Sequence, residues 1–78
     1  MNKNELKDAV RFCEMCQKLL ELKLSEVREK LALLQKSDSA NTIDILRLRE
    51  DDWSLNLDIF VFRLASSYLE KLIETCEE

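Results

Sequence analysis

Two stripes of apolar residues with alternating three- and four-residue spacing dominate this sequence, one in each half of a chain without glycine, proline or histidine. Such spacing is typical of coiled coils and helix bundles, because it keeps the apolar side chains on one side of a helix. Polar residues interrupt the spacing at Gln17, Asp52 and Ser66. The pattern predicts two long helices, each buried along one side. The two sets, called the heptad stripes, are Leu6, Val10, Cys13, Leu20, Leu24, Val27, Leu31 and Leu34, then Ile45, Leu48, Leu55, Ile59, Phe62, Leu69, Ile73 and Cys76.

One polar segment at the midpoint of the chain separates the two predicted helices. The first helix is expected over about 3–36, beginning at Asn2 or Asn4, and Asn2 with an acidic residue three positions later forms a capping-box pattern. The segment 37–42 is rich in Ser, Asp, Asn and Thr, which favour turns and helix N-caps. The second helix is therefore expected over about 43–76. Two helices of similar length joined by a short turn fold back on each other, so we predict an all-α, antiparallel, coiled-coil-like two-helix hairpin.

Part of the second helix also permits other structures. Residues 55–62 begin with alternating apolar and polar residues and end in four residues of high strand propensity, so a strand is an alternative there. Residues 51–54 permit a helix break, because Asp52 or Ser54 could cap a new helix. A continuous helix remains the main prediction, since no turn residues bound the segment and a lone strand would lack a pairing partner.

The second helix is apolar on more than one side. A second stripe runs along it, made of Leu46, Trp53, Leu57, Phe60 or Val61, Leu64, Tyr68 and Leu72. A helix that faces one neighbour needs a single apolar side, so a helix with two such sides requires at least two neighbours. We therefore predict that the second stripe is a protein interface. In the first helix, the heptad stripe is flanked in the same way by Ala9, Phe12, Cys16 and Leu19.

Two arrangements would cover the second stripe. A second hairpin would complete a four-helix bundle, and most soluble oligomers are symmetric homodimers. A different protein that supplies the missing helices would satisfy the same requirement. The alternative to both is a monomer with a partly exposed second stripe.

Gln17 and Ser66 interrupt the heptad stripes of opposite helices. With a turn near residue 40, residue i lies opposite about residue 79 minus i, which sets Arg28 beside Asp51 and brings Gln17 within about one helical turn of Ser66. A polar residue in a core position can fix helix register. We predict that Gln17 and Ser66 form a register-setting polar pair; the alternative is that each side chain turns toward solvent.

The three cysteines and the other reactive side chains give little indication of chemistry. Cys13 and Cys16 form a CxxC motif inside a helix, whereas zinc normally needs four ligands and a redox CxxC normally begins a helix. We expect the cysteines to act as small apolar side chains, with a site completed by a second subunit as the alternative. Without histidine or a glycine-rich loop, we predict no catalytic residue, no metal site and no cofactor, and expect a non-enzyme.

Composition limits the size and the partners of the protein. A chain of 78 residues forms one domain, over 1–78, and its charge of −4 with interleaved signs argues against nucleic-acid binding. The most apolar region, 55–73, contains charged residues, and the first residues lack the apolar core of a signal peptide. An odd number of cysteines fits a reducing compartment. We expect a soluble, intracellular protein that does not enter a membrane.

These observations predict a non-enzymatic helical protein–protein interaction module. It would act as a structural or adaptor subunit of a helical assembly. The alternative is a small freestanding homodimeric regulator or inhibitor that binds a protein target.

Overall fold

The computed structural model describes residues 2–36 and 42–76, and these form two α-helices. Helix α1 spans Lys3–Gln35 and helix α2 spans Thr42–Glu74, each with 33 residues. At 1.5 Å per residue each helix is about 50 Å long. The helices pack against each other as an antiparallel hairpin 61 Å in length. The predicted all-α hairpin is therefore confirmed, while the predicted turn lies outside the described residues except for Thr42.

A capping box begins α1 at Asn2. The Oδ1 atom of Asn2 accepts a hydrogen bond from the backbone N–H of Glu5 at 2.9 Å, and the Asn2 Nδ2 group donates to Glu5 Oε1 at 3.0 Å. In a standard capping box the acidic side chain bonds the backbone N–H of the cap residue. Here it bonds the side-chain amide of the cap residue instead. The Asn2 side chain thereby satisfies one free backbone N–H group of the first turn. Of the two predicted starting points, Asn2 and Asn4, the structure confirms Asn2.

The two heptad stripes meet along the length of the hairpin. Among the described residues, every position of both spacings, including the polar ones, is buried or half-buried. Leu6 and Ile59 are the least exposed, at 5% each. The core is therefore a single line of side chains between the helices, as the spacing predicts. Its buried members are Leu6, Val10, Cys13, Leu24, Ile59 and Ser66.

Helix α2 is continuous through both segments where the sequence permits another structure. Residues 51–54 and 55–62 are helical, so neither the break nor the strand is present. The side chain of Asn56 donates to the Asp52 backbone carbonyl at 2.9 Å and to Asp52 Oδ1 at 2.8 Å. The Asp52 carboxylate thus accepts from a side chain one turn later instead of capping a new helix. High strand propensity in 55–62 is overridden because the heptad positions there are buried against α1.

The cross-section of the hairpin shows that the two helices do not lie in one plane. A flat pair of helices with axes 8–10 Å apart would measure about 14 by 5 Å across its Cα atoms. The hairpin measures 14 by 13 Å. The plane that contains the two helices therefore turns or bends along the molecule.

Candidate protein interface

The second stripe of α2 is exposed to solvent along its whole length. Exposure ranges from 36% at Leu72 to 70% at Trp53. The stripe covers 26 residue steps, or about 39 Å of helix. The hairpin by itself covers only one of the two apolar sides of α2. The other exposed members are Leu46, Leu57, Phe60, Val61, Leu64 and Tyr68.

The centre of the second stripe lies directly opposite the core. Leu57 is two positions from both Leu55 and Ile59, which belong to the heptad stripe. Two residues correspond to a rotation of about 200° around an α-helix, so Leu57 projects away from α1. No side chain of α1 can reach this side of α2 in the same hairpin, and the second stripe is available to another molecule.

Helix α1 also presents apolar side chains to solvent. Phe12 and Leu19, noted in the sequence as flanking residues, are exposed, whereas Ala9 and Cys16 are half-buried. Three further exposed residues escape the sequence analysis: Met15, Leu22 and Leu33. Positions 12, 15, 19 and 22 have the three-four-three spacing of a helical stripe, and this spacing could have indicated Met15 and Leu22.

An open groove runs beside these α1 residues. Its volume is about 470 Å³, and its walls come from α1 and from Phe62 of α2. Such a groove between two helices can receive the side chains of another helix. Its lining residues are Cys16, Leu19, Leu20, Leu22, Lys23, Glu26 and Phe62.

The hairpin exposes more surface than a compact monomer of its mass. Its accessible surface is 6184 Å² for 9.2 kDa. A compact folded monomer of this mass exposes about 4,900 Å². The surplus is about 1,300 Å², and the exposed apolar side chains of both helices contribute to it.

Asp52 is the polar interruption of the α2 heptad stripe, and it forms an ion pair across the hairpin. Its Oδ2 atom accepts from Arg28 Nε of α1 at 2.9 Å, and its Oδ1 atom accepts from Asn56. The hydrogen bond to Asp52, and then the negative charge of Asp52, raise the pKa of Arg28 above its ordinary value. Arg28 therefore stays protonated at physiological pH. A change of pH in that range does not break the ion pair by deprotonating Arg28.

The Arg28–Asp52 ion pair differs by one residue from the pair that the sequence predicts. The expected neighbour of Arg28 was Asp51, whereas the observed partner is Asp52. An arginine side chain is long enough to reach a carboxylate one residue further along the facing helix, so the register of about 79 minus i stays a prediction. Sequence reasoning placed the register-setting contact at Gln17 and Ser66 and missed this cross-helix pair.

Gln17 and Ser66 do not bond each other in the hairpin. The Nε2 group of Gln17 donates to Glu21 Oε1 on its own helix at 3.0 Å. Ser66 is buried at 9% exposure, and its Oγ atom has no hydrogen-bond partner among the described residues. The structure thus places Ser66 in the core and leaves its hydroxyl unsatisfied. A role of these two residues in setting register stays a prediction.

The cysteines are free thiols, with Cys13 buried and Cys16 and Cys76 half-buried. In the described parts of the chain, 2–36 and 42–76, no three His, Cys, Asp or Glu side chains are grouped so that they could hold a metal ion. The position of Cys13 within the core is that of a small apolar side chain.

Comparisons with family models, with curated proteins and with solved structures found no match to this chain. Neither α1 nor α2, over its described residues, contains a segment long and apolar enough to cross a membrane. The geometry of the exposed surface is therefore the main basis for a functional proposal.

Proposed function

We propose that this protein is a non-enzymatic helical interaction module that acts as a structural or adaptor subunit of a helical assembly. The second stripe of α2 is its binding surface. The observation that supports this most strongly is the exposure of the whole stripe, from Leu46 to Leu72, on the side of α2 that faces away from α1.

The size of the second stripe supports a specific protein contact. With about 200 Å² for a fully exposed large side chain, the observed exposures correspond to on the order of 850 Å² per chain. A standard protein interface covers about 800 Å² per partner, and the largest apolar patch of a typical monomer is about 300–600 Å². Burial of such a stripe would contribute on the order of 20 kcal/mol before the costs of association.

The composition of the second stripe is also that of an interface. Trp53 and Tyr68 are large amphipathic side chains, and residues of this type dominate binding energies at protein interfaces. They lie 15 positions apart on α2, with Leu57 and Leu64 between them. Aromatic anchors with aliphatic residues between them form a long contact suited to another helix.

A second candidate function is that of a freestanding homodimeric regulator or inhibitor that binds a protein target. The area of the second stripe favours it, because one standard dimer interface would cover it. In this case a separate surface, outside the second stripe, would recognise the target.

The experiment that tests the proposed function measures the native size of the protein in its own cells. A tagged chain at its natural expression level is compared with Leu57→Glu, which charges the centre of the second stripe, and with Ser25→Glu, which charges an exposed position of α1 outside it. We expect the wild-type and Ser25→Glu chains to elute with other proteins, well above twice the mass of the tagged chain. Leu57→Glu should lose these proteins.

Two results would contradict the adaptor function. If all three chains elute with the same proteins, the second stripe is not the binding surface. If the wild-type chain elutes alone at twice the mass of the tagged chain, the second candidate, a freestanding homodimer, replaces the first.

A further inference from the structure

The second stripe of α2 repeats every eleven residues, unlike the heptad stripe on the other side of the helix. Leu46, Leu57 and Tyr68 are separated by eleven positions each, and so are Trp53 and Leu64. Eleven residues in three turns give about 3.67 residues per turn, close to the 3.6 of an α-helix, so the stripe runs nearly straight along α2. A partner helix could therefore follow it over most of its length.

The six central residues of the second stripe, from Trp53 to Tyr68, form a pattern that is symmetric under reversal of the chain direction, whereas the end residues Leu46 and Leu72 exchange with Thr75 and Arg49. Reversal about the midpoint between Phe60 and Val61 exchanges residue i with residue 121 minus i. Each central member of the stripe is then exchanged with another large apolar member. An interface with twofold symmetry requires this property, because the same patch must contact itself. The exchanged pairs are Trp53 with Tyr68, Leu57 with Leu64, and Phe60 with Val61.

We propose that the second stripe binds a second copy of this chain, with the two α2 helices antiparallel and the twofold axis between Phe60 and Val61. This inference rests on the proposal that the second stripe is a protein interface, and it favours the second candidate function, because a second copy of the chain would cover the stripe. The symmetry and the eleven-residue repeat of the stripe supply the relative orientation and the register of the two α2 helices.

The area of the second stripe is large enough for a stable contact with a second copy of this chain. Each copy offers on the order of 850 Å², and a stable dimer of standard size buries about 800 Å² per subunit. Charged residues near the ends of the stripe are also complementary in this antiparallel register. Glu50 of one copy comes level with Lys71 of the second copy, because their numbers are related by the same reversal.

Charge-paired variants at exposed positions of the second stripe test the orientation. In the antiparallel register Leu57 faces Leu64 of the second copy, whereas in a parallel pair it faces Leu57. Masses are measured by light scattering over a hundredfold concentration range. We expect the wild-type chain to form a dimer at twice 9.2 kDa and the separate variants Leu57→Lys, Leu57→Glu and Leu64→Glu to form monomers.

Two equimolar mixtures then separate the two orientations. Leu57→Lys with Leu64→Glu pairs opposite charges only in the antiparallel dimer, and Leu57→Lys with Leu57→Glu pairs them only in a parallel one. We expect the first mixture to dimerise with a Kd at least tenfold lower than that of the second. Equal Kd values, or the reverse order, would overturn the proposal.

A zero-length cross-link supplies an independent measurement on the unmodified chain. Glu50 and Lys71 are 21 residues apart on α2, or about 31 Å, so a direct amide between them can form only between two copies. Mass spectrometry of the carbodiimide-treated dimer should detect this link, and a dimer without it would overturn the register. A wild-type monomer at every concentration would overturn the inference alone, because the cell-based comparison of Leu57→Glu with Ser25→Glu would still test the interaction function.

Discussion

Ser66 provides a quantitative test of the packing between α1 and α2. Its hydroxyl is buried in the core, and its Oγ atom has no hydrogen-bond partner within the described ranges 2–36 and 42–76. Burial of an unsatisfied hydroxyl costs about 1–3 kcal/mol in mutational data, and alanine is the better helix former by about 0.5 kcal/mol. We expect Ser66→Ala to raise the free energy of unfolding by about 1.5–3.5 kcal/mol. Urea denaturation at a fixed chain concentration measures this change, since the stability of an oligomer depends on concentration.

The neighbouring residue supplies a matched control for this prediction. Ser67 is exposed, so Ser67→Ala should gain only the helix-propensity part, about 0.5 kcal/mol. The difference between the two variants isolates the cost of the buried hydroxyl. If Ser66→Ala is no more stable than Ser67→Ala, the Ser66 hydroxyl has a partner in solution, and the reasoning from its burial is wrong. A destabilised Ser66→Ala with a changed oligomeric mass would support the predicted register-setting role of this residue.

Three further predictions follow from the cap, the core and the exposed tryptophan. Asn2→Ala should lower the free energy of unfolding by about 1 kcal/mol through loss of the N-cap, whereas Asn4→Ala, inside the helix, should not lower it; chemical denaturation of both compares them. Ile59→Ala should cost about 2–5 kcal/mol and Leu33→Ala, an exposed control, less than about 0.5 kcal/mol; equal costs would contradict the position of the core. The fluorescence of Trp53, the only tryptophan, should shift to shorter wavelength as rising concentration covers the second stripe. A spectrum that stays that of an exposed indole at every concentration would contradict self-association through this surface.

Most of the hairpin could be predicted from the sequence because its determinants are local. The three- and four-residue spacing follows from the geometry of a single helix, and it correctly selects the buried side of both helices. The N-cap at Asn2 is equally local, since its hydrogen bonds involve only Glu5, three residues away. For the same reason the exposed residues Met15 and Leu22 could have been found from their spacing to Phe12.

The details of the contact between the helices could not be read from local patterns. Strand propensity and possible caps in 51–62 suggested alternatives to a continuous α2, and burial against α1 together with the Asp52–Asn56 hydrogen bonds removes them. The partner of Arg28 was misjudged by one residue, because each helical step rotates a side chain by about 100° and only the packed pair fixes which carboxylate comes within reach.

The sequence by itself determines that this chain forms two amphipathic helices and that the second has two apolar sides, because both properties depend only on the order of side chains around one helix. The tertiary structure decides which of these sides α1 covers, how the polar interruptions are satisfied and which surface remains exposed. Asp52 forms an ion pair with Arg28, whereas the Ser66 hydroxyl has no hydrogen-bond partner in the part of the chain that the structure describes. These outcomes depend on the register of two helices that are distant in sequence, and that register exists only once the helices have packed.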